Sequence, residues 1–207
     1  MRSGETEIDM TPRRTLLGGG LALAALAGCR DAPPSTRFAE LTYAHRSPLR
    51  VDAGRLEIVD EYVAPLAPPH VEHLAPAQPA TVLRRWASDR IVAAGSPERI
   101  ARFVIRDARI TETTLPRPGG LRGQVTTSQS ERYECAIAAA LEIRSQRGDF
   151  REGFAEARAS RARTVAEDIT LADRDRALYE LVEQTMIDFD AELERQIRSA
   201  MPLLLLG

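Results

Sequence analysis

Residues 133–144 constrain the fold more than any other part of this chain. Tyr133, Cys135, Ile137, Ala139, Leu141 and Ile143 fall on one side, with Glu134, Glu142 and Arg144 on the other. Strict alternation over such a run is the period of a strand with one buried face. The same parity extends back through Val125 and Thr127, which allows the strand to begin before residue 130. One apolar face needs a covering layer, and the rest of the chain must supply it.

Two segments have the helical period. Thr81 to Ala94 carries Val82, Leu83, Trp86, Ile91 and Val92, with Gly95 as a natural stop. The second helix is longer. Thr170 can cap it, Asp173 follows three residues on, and Leu178, Leu181, Val182, Thr185, Met186, Phe189, Leu193 and Ile197 form a continuous stripe. Pro202 ends it. Leu203 to Leu206 is too short to span a bilayer, which takes roughly 20 apolar residues, and is expected to dock on the domain.

The remaining strands are less regular. Phe38 to Tyr43 is expected as a short first strand, and residues 55–63 are rich in β-formers. Pro65, Pro68, Pro69, Pro76 and Pro79 then exclude a helix interior or a central strand, so an extended surface connection is expected. Residues 102–115 form a strand whose apolar phase changes near Asp107. Gln146 to Asp149 reads as a turn, and Phe154 to Val165 as an antiparallel return strand, with a helix as its competitor because of the alanines. The expected fold is α+β, in the order β-α-β-β-β-α. It is a mostly antiparallel sheet of about four strands with two helices packed on one face.

The N-terminus has its own signature. Arg13 and Arg14 precede an apolar run of about a dozen residues, the length of a signal-peptide core. The run ends in Leu26-Ala27-Gly28-Cys29, which matches the lipobox of bacterial lipoproteins at every position. In lipoproteins with this box, cleavage falls between the residues corresponding to Gly28 and Cys29, and the cysteine sulfur carries a diacylglycerol. Arg13-Arg14, with Leu16 close behind, resembles a twin-arginine export signal. An arginine-biased composition explains the pair equally well, since all 28 basic residues are Arg and the chain lacks Lys. Glu5, Glu7 and Asp9 are unusual in a basic leader, so Met10 is an alternative start. The expected organisation is a signal peptide over 1–28, a lipidated tether over 29–48 and one periplasmic α+β domain over 49–207.

A net charge of −2 gives no electrostatic case for nucleic acid. With Cys29 acylated, Cys135 has no disulfide partner and its place on the apolar face makes it a core thiol. No serine elbow, phosphate-cradling loop or paired-cysteine metal site is present. The glycine-rich Gly119-Gly120-Leu121-Arg122-Gly123 lies between strands and reads as a hairpin. His70 and His73 have a ligand-like spacing, but the flanking prolines exclude the helix that would present them together. Asp173, Asp175, Asp188, Asp190, Glu180, Glu183 and Glu194 are expected to be solvated. No catalytic, metal-ligating or cofactor-binding residue is identified, and no enzymatic activity is expected.

The chain resembles the ABC-type transport auxiliary lipoproteins. The resemblance rests on the lipobox, on Leu56-Glu57-Ile58-Val59 with Tyr62 leading into the Pro-rich bend, on Arg85-Trp86-Ala87 and on the alternating strand from Tyr133. It spans most of the mature chain. It implies a membrane-anchored, periplasm-facing accessory or scaffold that helps move lipid between membranes, with an ABC transporter component as partner. Arg30 follows Cys29 where some bacteria place an inner-membrane retention aspartate, which favours the outer membrane. Two other readings stand beside it. One is a carrier of lipid or a small apolar ligand, using the apolar stripe of the long helix and residues 116–130. The other is an envelope hydrolase.

Overall fold

The computed structural model describes residues 38–116, 129–166 and 168–206. Gly28, Cys29, Arg13, Arg14, Val125, Thr127 and the 119–123 glycines lie outside them. The strands are β1 (Leu49–Val51), β2 (Arg55–Asp60), β3 (Ile91–Ala93), β4 (Arg99–Thr114), β5 (Gln129–Ser145) and β6 (Arg151–Ala166). The helices are α1 (Pro79–Arg90) and α2 (Leu171–Ala200). The main sheet has the order β2-β4-β5-β6, and β1 and β3 form a small parallel pair beside it. Leaving that pair aside, the order is the expected β-α-β-β-β-α.

The helix-facing side of β5 is the alternating set: Tyr133, Cys135, Ile137, Ala139, Leu141 and Ile143 are all buried. On β4, Ala101, Phe103 and Ile105 join it. A register shift between Ile105 and Asp107 then puts Ala108 and Ile110 back on the same face. This β-bulge is the phase change near Asp107, since one extra residue restores the apolar parity. β6 is a strand and not a helix. Ala155, Ala157 and Ala159 pair with Leu141, Ala139 and Ile137, so small residues face α2 along this edge. A Cβ on Gly153 would sit 2.5 Å from Leu204 Cδ1 and 2.6 Å from Met201 Sδ, so α2 and its C-terminal turn approach this strand closely.

The sheet is mixed. β4, β5 and β6 are antiparallel neighbours, but β2 runs parallel to β4. The connection between them contains α1, and a long crossover of this kind is what parallel pairing requires. Beyond the end of β2, the Pro-rich connection takes over the edge of β4. Val71 N–H donates to Ile110 O at 2.8 Å, and Glu112 N–H donates to Pro69 O at 2.8 Å.

Two expected elements change. Phe38 to Tyr43 is not a strand, and the first strand is Leu49–Val51. The helix expected to reach Ala94 stops at Arg90, and Ile91 to Ala93 pair with β1. β-branched Ile91 and Val92 suit that pairing better than a helix end. Gly95 serves a close approach: a Cβ there would lie 2.5 Å from Asp52 Cα. α2 keeps its expected start, with Thr170 Oγ1 accepting from Asp173 N–H at 3.1 Å. The apolar tail docks, since Asp52 N–H donates to Leu204 O and Leu206 N–H to Arg50 O.

Candidate functional site

The most elaborate polar arrangement in the core joins α1, α2 and the segment that leads into the domain. Trp86 and Arg90 lie one turn apart on the buried face of α1. Asp190 lies on the apolar stripe of α2, four residues after Met186 and three before Leu193, and is itself buried. Trp86 Nε1–H donates to Asp190 Oδ1 at 2.8 Å, and Arg90 Nε–H donates to the same oxygen at 3.0 Å. Arg90 Nη2 donates to Glu194 Oε2 at 2.5 Å. Arg46 completes the set, 3.0 Å from Asp190 Oδ2 and 3.5 Å from Glu194. Arg198 also pairs with Glu194, so three arginines meet two carboxylates, and both Asp190 oxygens are occupied. The indole also packs on Phe103 and Phe189, with centroids 5.5 and 5.6 Å away.

Expecting Asp190 and Glu194 to be solvated is therefore corrected. Asp190 breaks the apolar stripe from within, because a buried indole N–H and a buried guanidinium need an acceptor. The sequence contained a signal for this: Asp190 has the stripe's spacing, and Trp86 and Arg90 share a face at i, i+4. Glu194 is partly exposed, with its carboxyl below the usual range. Burial pushes it up, but Arg198 and Arg90 outweigh that.

The same cluster holds residues 38–48 against the helices. Arg90 Nη1 donates to Ser47 O. Tyr43 N–H and Thr42 Oγ1–H both donate to Asp89 Oδ2, at 2.8 and 2.9 Å. Glu40 pairs with Arg85, Phe38 stacks on Tyr179 at 4.9 Å, and Tyr179 O–H donates to Ala39 O at 2.9 Å. Tyr43 is buried, and burial followed by the nearby Asp190 pushes its phenol well above its ordinary value. The last part of the expected tether, from Phe38 on, is thus an arm of the folded unit. Cavities of about 350 and 290 Å³ flank this arm. Phe38, Leu41, Ala75, Pro76 and Val82 contribute to the first, and Leu41, Tyr43, His45 and Ile187 to the second.

Cys135 is fully buried, and burial pushes its thiol up to about 12, despite a hydrogen bond with Thr185 that lowers it. Such a thiol is not a nucleophile at neutral pH. His70 Nδ1 lies 3.7 Å from Glu72, whose carboxylate accepts from Tyr62 O–H at 2.7 Å and Ile110 N–H at 3.2 Å. No group of three or more His, Cys, Asp or Glu side chains suited to a metal occurs among the described residues. Asp188 stays at the surface in a two-bond pair with Arg161. The apolar stripe of α2, considered for lipid binding, is filled by the core from Leu178 to Ile197.

No family model and no curated protein matches the chain. Solved structures similar to it include a DUF330 protein from Xanthomonas campestris, at 12% identity and TM-score 0.32, covering 79% of this chain and 94% of that one. The rare lipoprotein B from Shewanella oneidensis matches at 12% identity and TM-score 0.32, covering 70% and 95%. Likenesses at this overlap assign neither fold family nor function. No helix among the described residues is long and apolar enough to cross a membrane.

Proposed function

We propose that this chain is a lipid-anchored bacterial envelope protein whose folded domain is a non-enzymatic accessory or scaffold, acting with an ABC-type transporter that moves lipid. One observation carries the reading: Leu26-Ala27-Gly28-Cys29 closes an apolar leader at the position where lipid attachment requires a cysteine. Acylated at Cys29, the chain is held at its N-terminus, facing the periplasm and on the outer membrane by the Arg30 argument. Anchoring by two or three acyl chains is durable where one is marginal. The arm over residues 38–48 supports the reading. Its contacts with Asp89, Arg90, Asp190 and Tyr179 connect a pull on the N-terminus to both helices.

The non-enzymatic part is supported by the engagement of three buried groups, with His70 Nδ1 the buried side-chain atom left without a hydrogen-bond partner among the described residues. Asp190 is fully engaged, Glu72 is bonded to Tyr62 and Ile110, and Cys135 is protonated and buried. The test is purification of the acylated protein from its native envelope in several mild detergents, with co-purifying proteins identified by mass spectrometry. Recovery of an ABC permease, ATPase or substrate-binding component is the expected result. Recovery of this chain alone in every detergent contradicts it.

A further inference from the structure

The stretch from Tyr62 to Leu83 carries a single formally charged side chain, Glu72, and that one is buried. Charged residues make up 28% of the whole chain, so a surface connection this poor in charge departs from the rest of the molecule. It is also not turned inward. Val63 is 83% exposed, Leu66 66% and Leu74 55%. Leu66 has φ 55°, a left-handed backbone that suits glycine and is costly for a bulky side chain. Core packing does not demand this conformation, because the side chain it sets faces water.

The fold gathers these groups with the start of the arm. Phe38 and residues 75–78 line one cavity, directly after Leu74. Phe38 also stacks on Tyr179 in the N-terminal half of α2. Leu171, 72% exposed, opens that helix, and Arg174 one turn on pairs with Glu112, whose backbone N–H donates to Pro69 O. Leu203, also exposed, lies at the other end, where Leu204 bonds Asp52 and Asp52 pairs with Arg99. Arg99 and Glu112 are separated by most of β4, about 40 Å at the rise of an extended strand.

We propose that this end of the domain is a membrane-contact surface, in which Val63, Leu66, Leu74 and Leu171 rest in the headgroup region of a lipid bilayer. The bilayer is the occupant that the arm selects. On the anchoring reading, on which this inference rests, only eight residues separate Cys29 from Phe38, and Phe38 lies beside residues 75–78, so a connection this short holds this end of the domain near the lipid. An exposed apolar connection poor in charge, bordered by the mutually paired Glu40 and Arg85, suits such contact.

The test makes tethering independent of acylation. The mature chain with Cys29→Ser and an N-terminal histidine tag is captured on phosphatidylethanolamine–phosphatidylglycerol vesicles that contain nickel-chelating and acyl-brominated lipids. Leu66→Trp, Leu74→Trp and Leu203→Trp are compared. Trp86 is fully buried and gives a common background. The expected result is a several-fold larger loss of emission for tryptophan at 66 and 74 than at 203. Equal quenching at both ends, or none at 66 and 74, overturns the proposal. So does an unquenched Leu66→Trp protein accompanied by loss of transporter co-purification in Leu66→Asp, which makes the connection a protein-docking surface. Anchoring fails separately, if the wild-type chain carries no acyl group at Cys29.

Discussion

Trp86 and Asp190, 104 positions apart in the chain, meet at 2.8 Å in the core, the indole N–H donating to the carboxylate. Arg90 shares the same oxygen, so one carboxylate satisfies two buried donors on α1. Replacing Asp190 leaves the Arg90 guanidinium, 1% exposed, without the more deeply buried of its two carboxylate partners. Asp190→Ala is expected to cost about 3–5 kcal/mol, the range for breaking a buried pair from one side. Trp86→Phe, which removes one donor and leaves the ion pair, should cost less. Denaturant unfolding of both variants checks the order. Equal stability of Asp190→Ala and wild type contradicts the burial of the cluster.

Close approach makes two glycines unequal. A Cβ at Gly95 meets backbone, at 2.5 Å from Asp52 Cα, whereas at Gly153 it meets the flexible ends of Leu204 and Met201. Gly95→Ala should therefore destabilise by about 1–3 kcal/mol, the usual cost of overpacking, and more than Gly153→Ala. Thermal unfolding of the pair gives the comparison. The reverse order refutes the β1–β3 geometry.

Cys135 should be silent to thiol reagents in the native state. Burial raises its thiol to about 12, and the side chain is fully covered. In a Cys29→Ser background, Ellman's reagent at pH 8 should find no thiol in the folded protein and one after denaturation. Rapid native reaction places Cys135 elsewhere than in the core.

Acid should loosen the cluster from the carboxylate side. The folded pKa of Glu194 is lowered from its ordinary 4.5: burial acts against this, but Arg198 and Arg90 prevail. A depressed carboxyl contributes stability that is fully present above the unfolded value and lost as pH falls through the folded one. Unfolding free energy should thus decline as pH falls below about 4.5. Asp188, lowered by Arg161, adds to the same slope. Glu194→Gln should flatten part of it. An unchanged slope in that variant contradicts the pairing with Arg90 and Arg198.

Strong, single-purpose patterns were the legible ones. The alternation from Tyr133 gave β5 and its buried face, the parity break near Asp107 marked the bulge, and the stripe with Thr170 marked α2. Elements that depend on a distant partner were not legible. Ile91 to Ala93 became a strand because Leu49 to Val51 lies beside it, and β2 pairs parallel because α1 carries the chain back across the sheet. Sequence alone makes Asp190 a solvated acid, because the partners that bury it lie on another helix. The arm over 38–48 hid for the same reason: its contacts with Asp89, Arg90 and Tyr179 are all long-range.

The central claim is that the chain is held to a membrane through Cys29. The most direct measurement is intact-mass analysis of the protein purified from envelope membranes, with metabolic palmitate labelling of wild type and Cys29→Ser. The account predicts a mature chain that begins at Cys29, carries acyl mass and label on that residue, and loses both in the variant. A chain that retains residues before Cys29 and carries no acyl group, or an unaltered label in Cys29→Ser, contradicts it.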